Sequence, residues 1–138
     1  MITAIVATLA ALALATIAGW LLTRRAGHIR AIDPGSGSEL DTSDLGLSRT
    51  GPTVVHFSAP WCSPCTQVRG VVTAVCNNLG DVAHVEIDMD ANPRAAQGLS
   101  VLSLPTTFIF DAEGRQRYRT TGVPKADDLR SALAPLLA

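Results

Sequence analysis

No long run of basic side chains occurs anywhere in this 138-residue chain, and its 11 Lys and Arg meet 12 Asp and Glu for a formal net charge of −1. Aromatic residues make up only 4% of it. A basic surface interleaved with aromatics is therefore missing, and nucleic acid is excluded as a partner class. Cysteine is scarce too. Three cysteines, at positions 62, 65 and 76, are too few and too unevenly spaced to staple a small disulfide scaffold. The most localised absence is of charge, with none from Ile2 to Leu22. Setting that segment aside leaves roughly 90–110 residues, enough for one compact α/β domain and no second.

The uncharged segment is rich in Ala, Leu and Ile. As a helix rising about 1.5 Å per residue it matches a hydrocarbon layer of about 30 Å. Trp20 sits near its end, where an interfacial aromatic belongs, and Arg24, Arg25 and Arg30 follow. We read residues 1–23 as a transmembrane anchor. A cleaved signal peptide is the rival, since Ala13-Leu14-Ala15 has the small-x-small form of a cleavage site. Against it, the apolar run continues beyond that site and no Lys or Arg precedes it. The positive-inside rule then puts the C-terminal domain in the cytoplasm, with an extracytoplasmic domain as the alternative. Residues 24–51 read as a basic juxtamembrane segment and flexible linker, with Pro34-Gly35-Ser36-Gly37-Ser38 and the acidic Asp33, Glu39, Asp41 and Asp44.

Residues 52–138 alternate strand and helix. Thr53–Ser58 is a β-branched and aromatic run, a buried strand. Val68, Val71, Val72, Val75, Cys76 and Leu79 have helical spacing, so Cys62–Leu79 is a helix stopped by Gly80. Val82–Asp88 is a second strand and Pro93–Leu99 a short helix. Thr106–Phe110 and Arg115–Thr121 form an antiparallel pair about the turn Asp111-Ala112-Glu113-Gly114. Lys125–Leu137 is a last helix that Pro135 should distort or end early. The order is βαβ, then ββα. The crossover makes the first two strands parallel and sets Cys62 and Cys65 at the carboxyl end of a strand and the amino end of a helix.

That position has chemical consequences. Unpaired N–H groups and the helix dipole favour negative charge there, so a thiol at Cys62 loses its proton more easily. The thiolate is the attacking species in disulfide exchange. Cys65, one turn on, is close enough to attack the resulting mixed disulfide and release product. Pro64 fixes φ in a turn where a missing N–H costs nothing, and Trp61 gives the attacking sulfur an apolar rim. Half a zinc site is the alternative for a lone C-x-x-C. The remaining ligands would have to be Cys76, His28, His56 or His84, and Cys76 lies about 16 Å along the helix from Cys65. No tetrahedron is apparent. Covalent haem attachment needs His after the second Cys, and Thr66 is there.

Val54-Val55-His56-Phe57-Ser58-Ala59-Pro60-Trp61-Cys62-Ser63-Pro64-Cys65 resembles the active-site strand and turn of the thioredoxin family, and Leu104-Pro105-Thr106 resembles its second signature. The resemblance runs from about Pro52 to Leu137. It implies a thioredoxin-like α/β fold with a central mixed sheet, a Cys62–Cys65 redox pair and no metal or other cofactor. It also implies a cis bond before Pro105, in a loop that lies against the pair. Trp61, Ser63, Pro64, Leu104 and Gly122 then belong to the substrate side, Gly122 by leaving room for substrate to approach.

Two departures stand out. The family's buried Asp, six residues before the first Cys, is His56 here, and its neighbouring Lys aligns with Glu86. Acid and base are exchanged between the strands. The expectation is that His56 moves the proton of Cys65, oriented by Glu86; a buried neutral His holding one hydrogen bond is the alternative. Cys76 faces the core as an apolar thiol.

Ser-Pro between the cysteines adds no positive charge to stabilise the thiolate, which favours a reductase of protein disulfides supplied by an upstream reductase or membrane electron donor. An exported reductase, an oxidase or an isomerase serving cytochrome or cell-envelope maturation is the alternative. A membrane adaptor using the fold only for binding is a further one.

Overall fold

The computed structural model describes residues 1–24, 26–33 and 42–138. Arg25, residues 34–38, Glu39 and Asp41 of the sequence reading lie outside the described residues. The elements are α1 (Ile2–Thr23), β1 (Arg30–Ala31), β2 (Thr53–Ser58), α2 (Ser63–Leu79), β3 (Ala83–Asp88), α3 (Pro93–Gly98), β4 (Thr106–Phe110), β5 (Gln116–Thr121) and α4 (Ala126–Leu133). Short 3-10 turns cover Ser43–Leu45 and Ala134–Leu136.

Helix α1 buries none of its 22 residues against the rest of the protein. The hydroxyls of Thr8, Thr16 and Thr23 donate back to their own helix's carbonyls four residues earlier, at 2.9–3.1 Å. Internal bonding of this kind hides their polarity from an apolar surround. By length and composition α1 can cross a membrane. At its end the Arg24 guanidinium lies 3.2 Å from the centre of the Trp20 ring.

The sheet order is β1-β5-β4-β2-β3. Strands β2 and β3 are parallel, and the β2–β4, β4–β5 and β1–β5 pairs are antiparallel. Every residue of β2 is buried, as expected of a strand covered on both faces, which is why its apolar run scarcely alternates. Val54 packs with Val68, Val72 and Val75 of α2 and Leu129 and Leu133 of α4. Val55 and Phe57 point the other way, towards Ile87, Ala96, Phe108 and Phe110. Phe57 meets Phe108 edge-on, ring centres 5.9 Å apart, and burying each such ring contributes about 2 kcal/mol. Pro135 ends α4 at Leu133 and tightens the chain into a 3-10 turn.

The segment expected to be a spacer joins the fold instead. The Gly27 N–H donates to the Thr121 carbonyl at 2.6 Å, Arg30 and Ala31 pair with Arg119 and Tyr118, and the Ile32 N–H donates to the Arg117 carbonyl at 2.9 Å. Strand β5 would otherwise leave its outer edge unpaired among the described residues, and such an edge recruits any strand within reach. Leu45 is also buried, in the Phe57–Phe108–Phe110 cluster. The structured domain thus begins well before Pro52.

Candidate active site

Cys62 caps α2. Its backbone is extended (φ −87°, ψ 95°), and the helix proper starts at Ser63, one residue later than the sequence spacing indicates. Its N–H donates to the Ala59 carbonyl at 3.0 Å, and its own carbonyl accepts the Cys65 N–H at 3.3 Å. The two sulfurs are joined as a disulfide. Cys62 is 8% exposed and Cys65 only 2%. Cys62 is thus the more exposed of the two, and the Cys65 sulfur lies 3.9 Å from the Phe57 carbonyl oxygen.

Ala59 and Leu104 pack on this disulfide. The Leu104–Pro105 bond is cis, Pro105 is buried, and its carbonyl accepts the Gly122 N–H at 2.9 Å. Trp61, beside Cys62, is 66% exposed, yet its indole N–H is fixed to Asp90 Oδ2 at 3.0 Å. Ser63 and Pro64 are exposed at the same rim. Gly122 departs from its expected role. Its φ is +85°, and a Cβ there would stand 3.2 Å from Gly27 N and 3.3 Å from Ala26 Cβ. The room at Gly122 is taken by this chain's own Ala26 and Gly27 rather than left for substrate.

On the face of β2 and β3 covered by α2 lies a polar group centred on His56. His56 and Glu86 sit opposite each other in the parallel β2–β3 register, and His56 is fully buried. His56 Nε2 lies 3.5 Å from Glu86 Oε1 without a hydrogen bond to any protein atom. His56 Nδ1 is 2.9 Å from His84 Nε2, and His84 Nδ1 is 3.5 Å from Thr73 Oγ1. Glu86 accepts from Ser58 Oγ at 2.8 Å and from the Arg69 guanidinium through two nitrogens. Burial pushes the His56 pKa down to about 4, with Glu86 opposing the shift and His84 and Arg69 adding to it. Glu86 is held at about 2, chiefly by the hydrogen bond from Arg69. Neither nitrogen of His56 hydrogen-bonds a cysteine sulfur.

His84, Arg69 and Ser58 were not singled out from the sequence as parts of this group. Two-residue alternation along the strands puts Ser58 with His56, and His84 with Glu86, on the face covered by α2, and that signal could have found them.

The family model for thioredoxin matches residues 43–135. The chain belongs to the thioredoxin family. It is 34% identical to thioredoxin of Chlamydia trachomatis over 80 residues, 58% of this chain and 78% of that protein. To thioredoxin of Mycolicibacterium smegmatis it is 40% identical over 72 residues, half of this chain and 62% of the relative. Among solved structures, chloroplastic thioredoxin z superposes with a TM-score of 0.58 at 30% identity over 64% of this chain and 80% of that one. A thioredoxin mutant from Halobacterium salinarum gives 0.62 at 27% identity over 73% and 87%. As a thioredoxin-family protein with its Cys62–Cys65 pair joined, the chain is a thiol–disulfide oxidoreductase, and proteins of this family act on protein disulfides.

Proposed function

We propose that this protein is a membrane-tethered reductase of protein disulfides, anchored by α1, with Cys62 as the attacking sulfur and Cys65 as the resolving one. The observation that carries the reading is the placing of the two sulfurs: Cys62 at the mouth of α2 and in reach, Cys65 one turn behind and shielded. In the reduced protein the Cys62 thiolate attacks a substrate disulfide, forming a mixed disulfide and expelling one substrate thiolate. Cys65 loses its proton and attacks Cys62. The Cys62–Cys65 bond forms, and the second substrate thiolate leaves. The substrate gains two electrons and the pair loses them, so a dithiol donor must restore it.

We assign His56 the transfer of the Cys65 proton, with the Glu86 carboxylate 3.5 Å from its Nε2 favouring the charged ring, while its Nδ1 faces His84. Pro105, Leu104, Trp61, Ser63 and Pro64 form the surface on which an extended substrate segment lies. Ser63-Pro64 brings no cation to the thiolate, which supports a reducing rather than an oxidising pair. Arg24 and the arginines that follow α1 support a cytoplasmic domain.

Insulin reduction with dithiothreitol as electron source tests the activity. The full chain in detergent should accelerate it, and Cys62→Ser should abolish the acceleration. Equal rates for the two proteins would leave only a binding role. Protease protection in intact cells tests the orientation; digestion of the domain from outside would reverse it.

A further inference from the structure

The segment between α1 and the sheet carries a consequence for substrate choice, which rests on α1 being a membrane anchor. Helix α1 ends at Thr23, and the Ala26 N–H donates to the Thr23 carbonyl at 3.2 Å. The next residue, Gly27, is already bonded to Thr121 of β5. From the end of the membrane helix at Thr23 to the contact at Gly27 is therefore four residues, about 14 Å even if fully extended.

The domain contact also falls close to the active site. Ala26 and Gly27 lie against Gly122, Gly122 holds the Pro105 carbonyl, and Leu104 packs on Cys62 and Cys65. Adding these steps keeps the disulfide within roughly 35 Å of the end of α1. With 22 residues rising about 1.5 Å each, α1 uses its length to cross the hydrocarbon, so its end lies at the membrane surface. Two exposed apolar side chains flank the site, Trp61 beside Cys62 and Leu102 (92% exposed) two residues before Leu104. Both suit a target segment at an interface better than one in open solvent.

We propose that the short tether and its seat on Gly122 give this oxidoreductase a kinetic preference for disulfides carried by membrane proteins close to the bilayer surface. Sharing the membrane raises the effective concentration of such a disulfide, and a disulfide beyond the tether's span gains nothing.

The test uses the full chain reconstituted in phosphatidylcholine vesicles. The substrates are lipid-anchored peptides with one intramolecular disulfide and a fluorescent reporter of its opening. In one peptide the disulfide adjoins the anchor. In the other, a stalk of 20 prolines, about 60 Å long in the extended proline helix, lifts it away. The wild-type chain should open the near disulfide at least about tenfold faster than the lifted one. A 40-residue Gly/Ser insertion between Thr23 and Ala26 should bring the two rates together. Soluble insulin should be reduced equally by both proteins, which isolates reach from chemistry. Equal near and lifted rates for the wild-type chain, or an insertion without effect on their ratio, overturns the proposal while leaving the reductase reading intact. Failure of the chain to float with the vesicles overturns the anchor and the proposal together. Failure on insulin strikes at the reductase reading itself.

Discussion

His84 Nε2 stands 2.9 Å from His56 Nδ1, so the imidazole buried in β2 continues into a second imidazole in β3 and from there towards Thr73 on α2. Of the two facing nitrogens one donates and the other accepts. Two imidazolium rings in this position would set N–H against N–H and charge against charge. The pair therefore holds at most one proton beyond its neutral state. The groups around it are Glu86 from β3, Arg69 and Thr73 from α2, and Thr107, directly opposite His56 in β4. Thr107 Oγ1, like His56 Nε2, is buried without a protein partner.

That arrangement makes stability depend on acidity with a definite sign. His56 titrates near 6.5 when the chain is unfolded and about 4 when folded. The unfolded chain therefore takes up a proton first as pH falls, and the folded state loses stability from about pH 6.5 down to about pH 4. Between pH 7 and pH 4.5 the loss from His56 is about 2.5 kcal/mol. Denaturant midpoints at the two pH values should show it, and His56→Leu should flatten most of the difference. Midpoints that coincide for the wild-type chain would show that His56 is not held neutral.

The pattern of elements was readable because each of the longer ones carries its own period. Strand β2 announces itself by β-branched and aromatic residues, α2 by its valines, and the end of α4 by Pro135. The cysteine pair was readable from its local spacing, and Leu104-Pro105 only through the resemblance to the thioredoxin family. What escaped the sequence depends on partners far along the chain. A strand of two residues, Arg30–Ala31, has no period to detect, and the Pro-Gly-Ser-rich stretch after it suggested a spacer. Leu45 is one apolar residue among polar ones, and only the pocket beside Phe108 and Phe110 makes it core. His84 gains its meaning from the β2–β3 register, which brings it beside a ring 28 residues earlier. Gly122 could be assigned to substrate only while Ala26 and Gly27 were thought to lie elsewhere.

Cys76 should behave unlike the other two cysteines. Burial raises its thiol to about 11, so at pH 7.5 well under one part in a thousand is thiolate, the reactive form. After mild reduction, iodoacetamide at pH 7.5 should modify Cys62 rapidly and leave Cys76 unmodified until denaturant is added. Peptide mass spectrometry resolves the sites. Early labelling of Cys76 in the folded chain would mean that the helix face carrying it opens to solvent.

The glycines of the N-terminal segment separate backbone strain from close packing. Gly46 has φ +68° with nothing within 4 Å of where a Cβ would stand, whereas Gly27 has φ +87° and a Cβ there would run into the Val123 carbonyl. Gly46→Ala therefore suffers only the strain of the left-handed backbone, about 1 kcal/mol. Gly27→Ala adds a clash with main chain that cannot rotate away, so the segment must lift off β5. Amide hydrogen exchange should report this directly. Protection at the N–H groups of Gly27 and Ile32, both bonded to β5 carbonyls, should collapse in Gly27→Ala and persist in Gly46→Ala. Under the proposed tethering of the active site through this contact, Gly27→Ala should also narrow the difference between near and lifted membrane-anchored disulfides, with the rate on insulin unchanged. Retained exchange protection in Gly27→Ala would show that the edge pairing does not depend on this close approach.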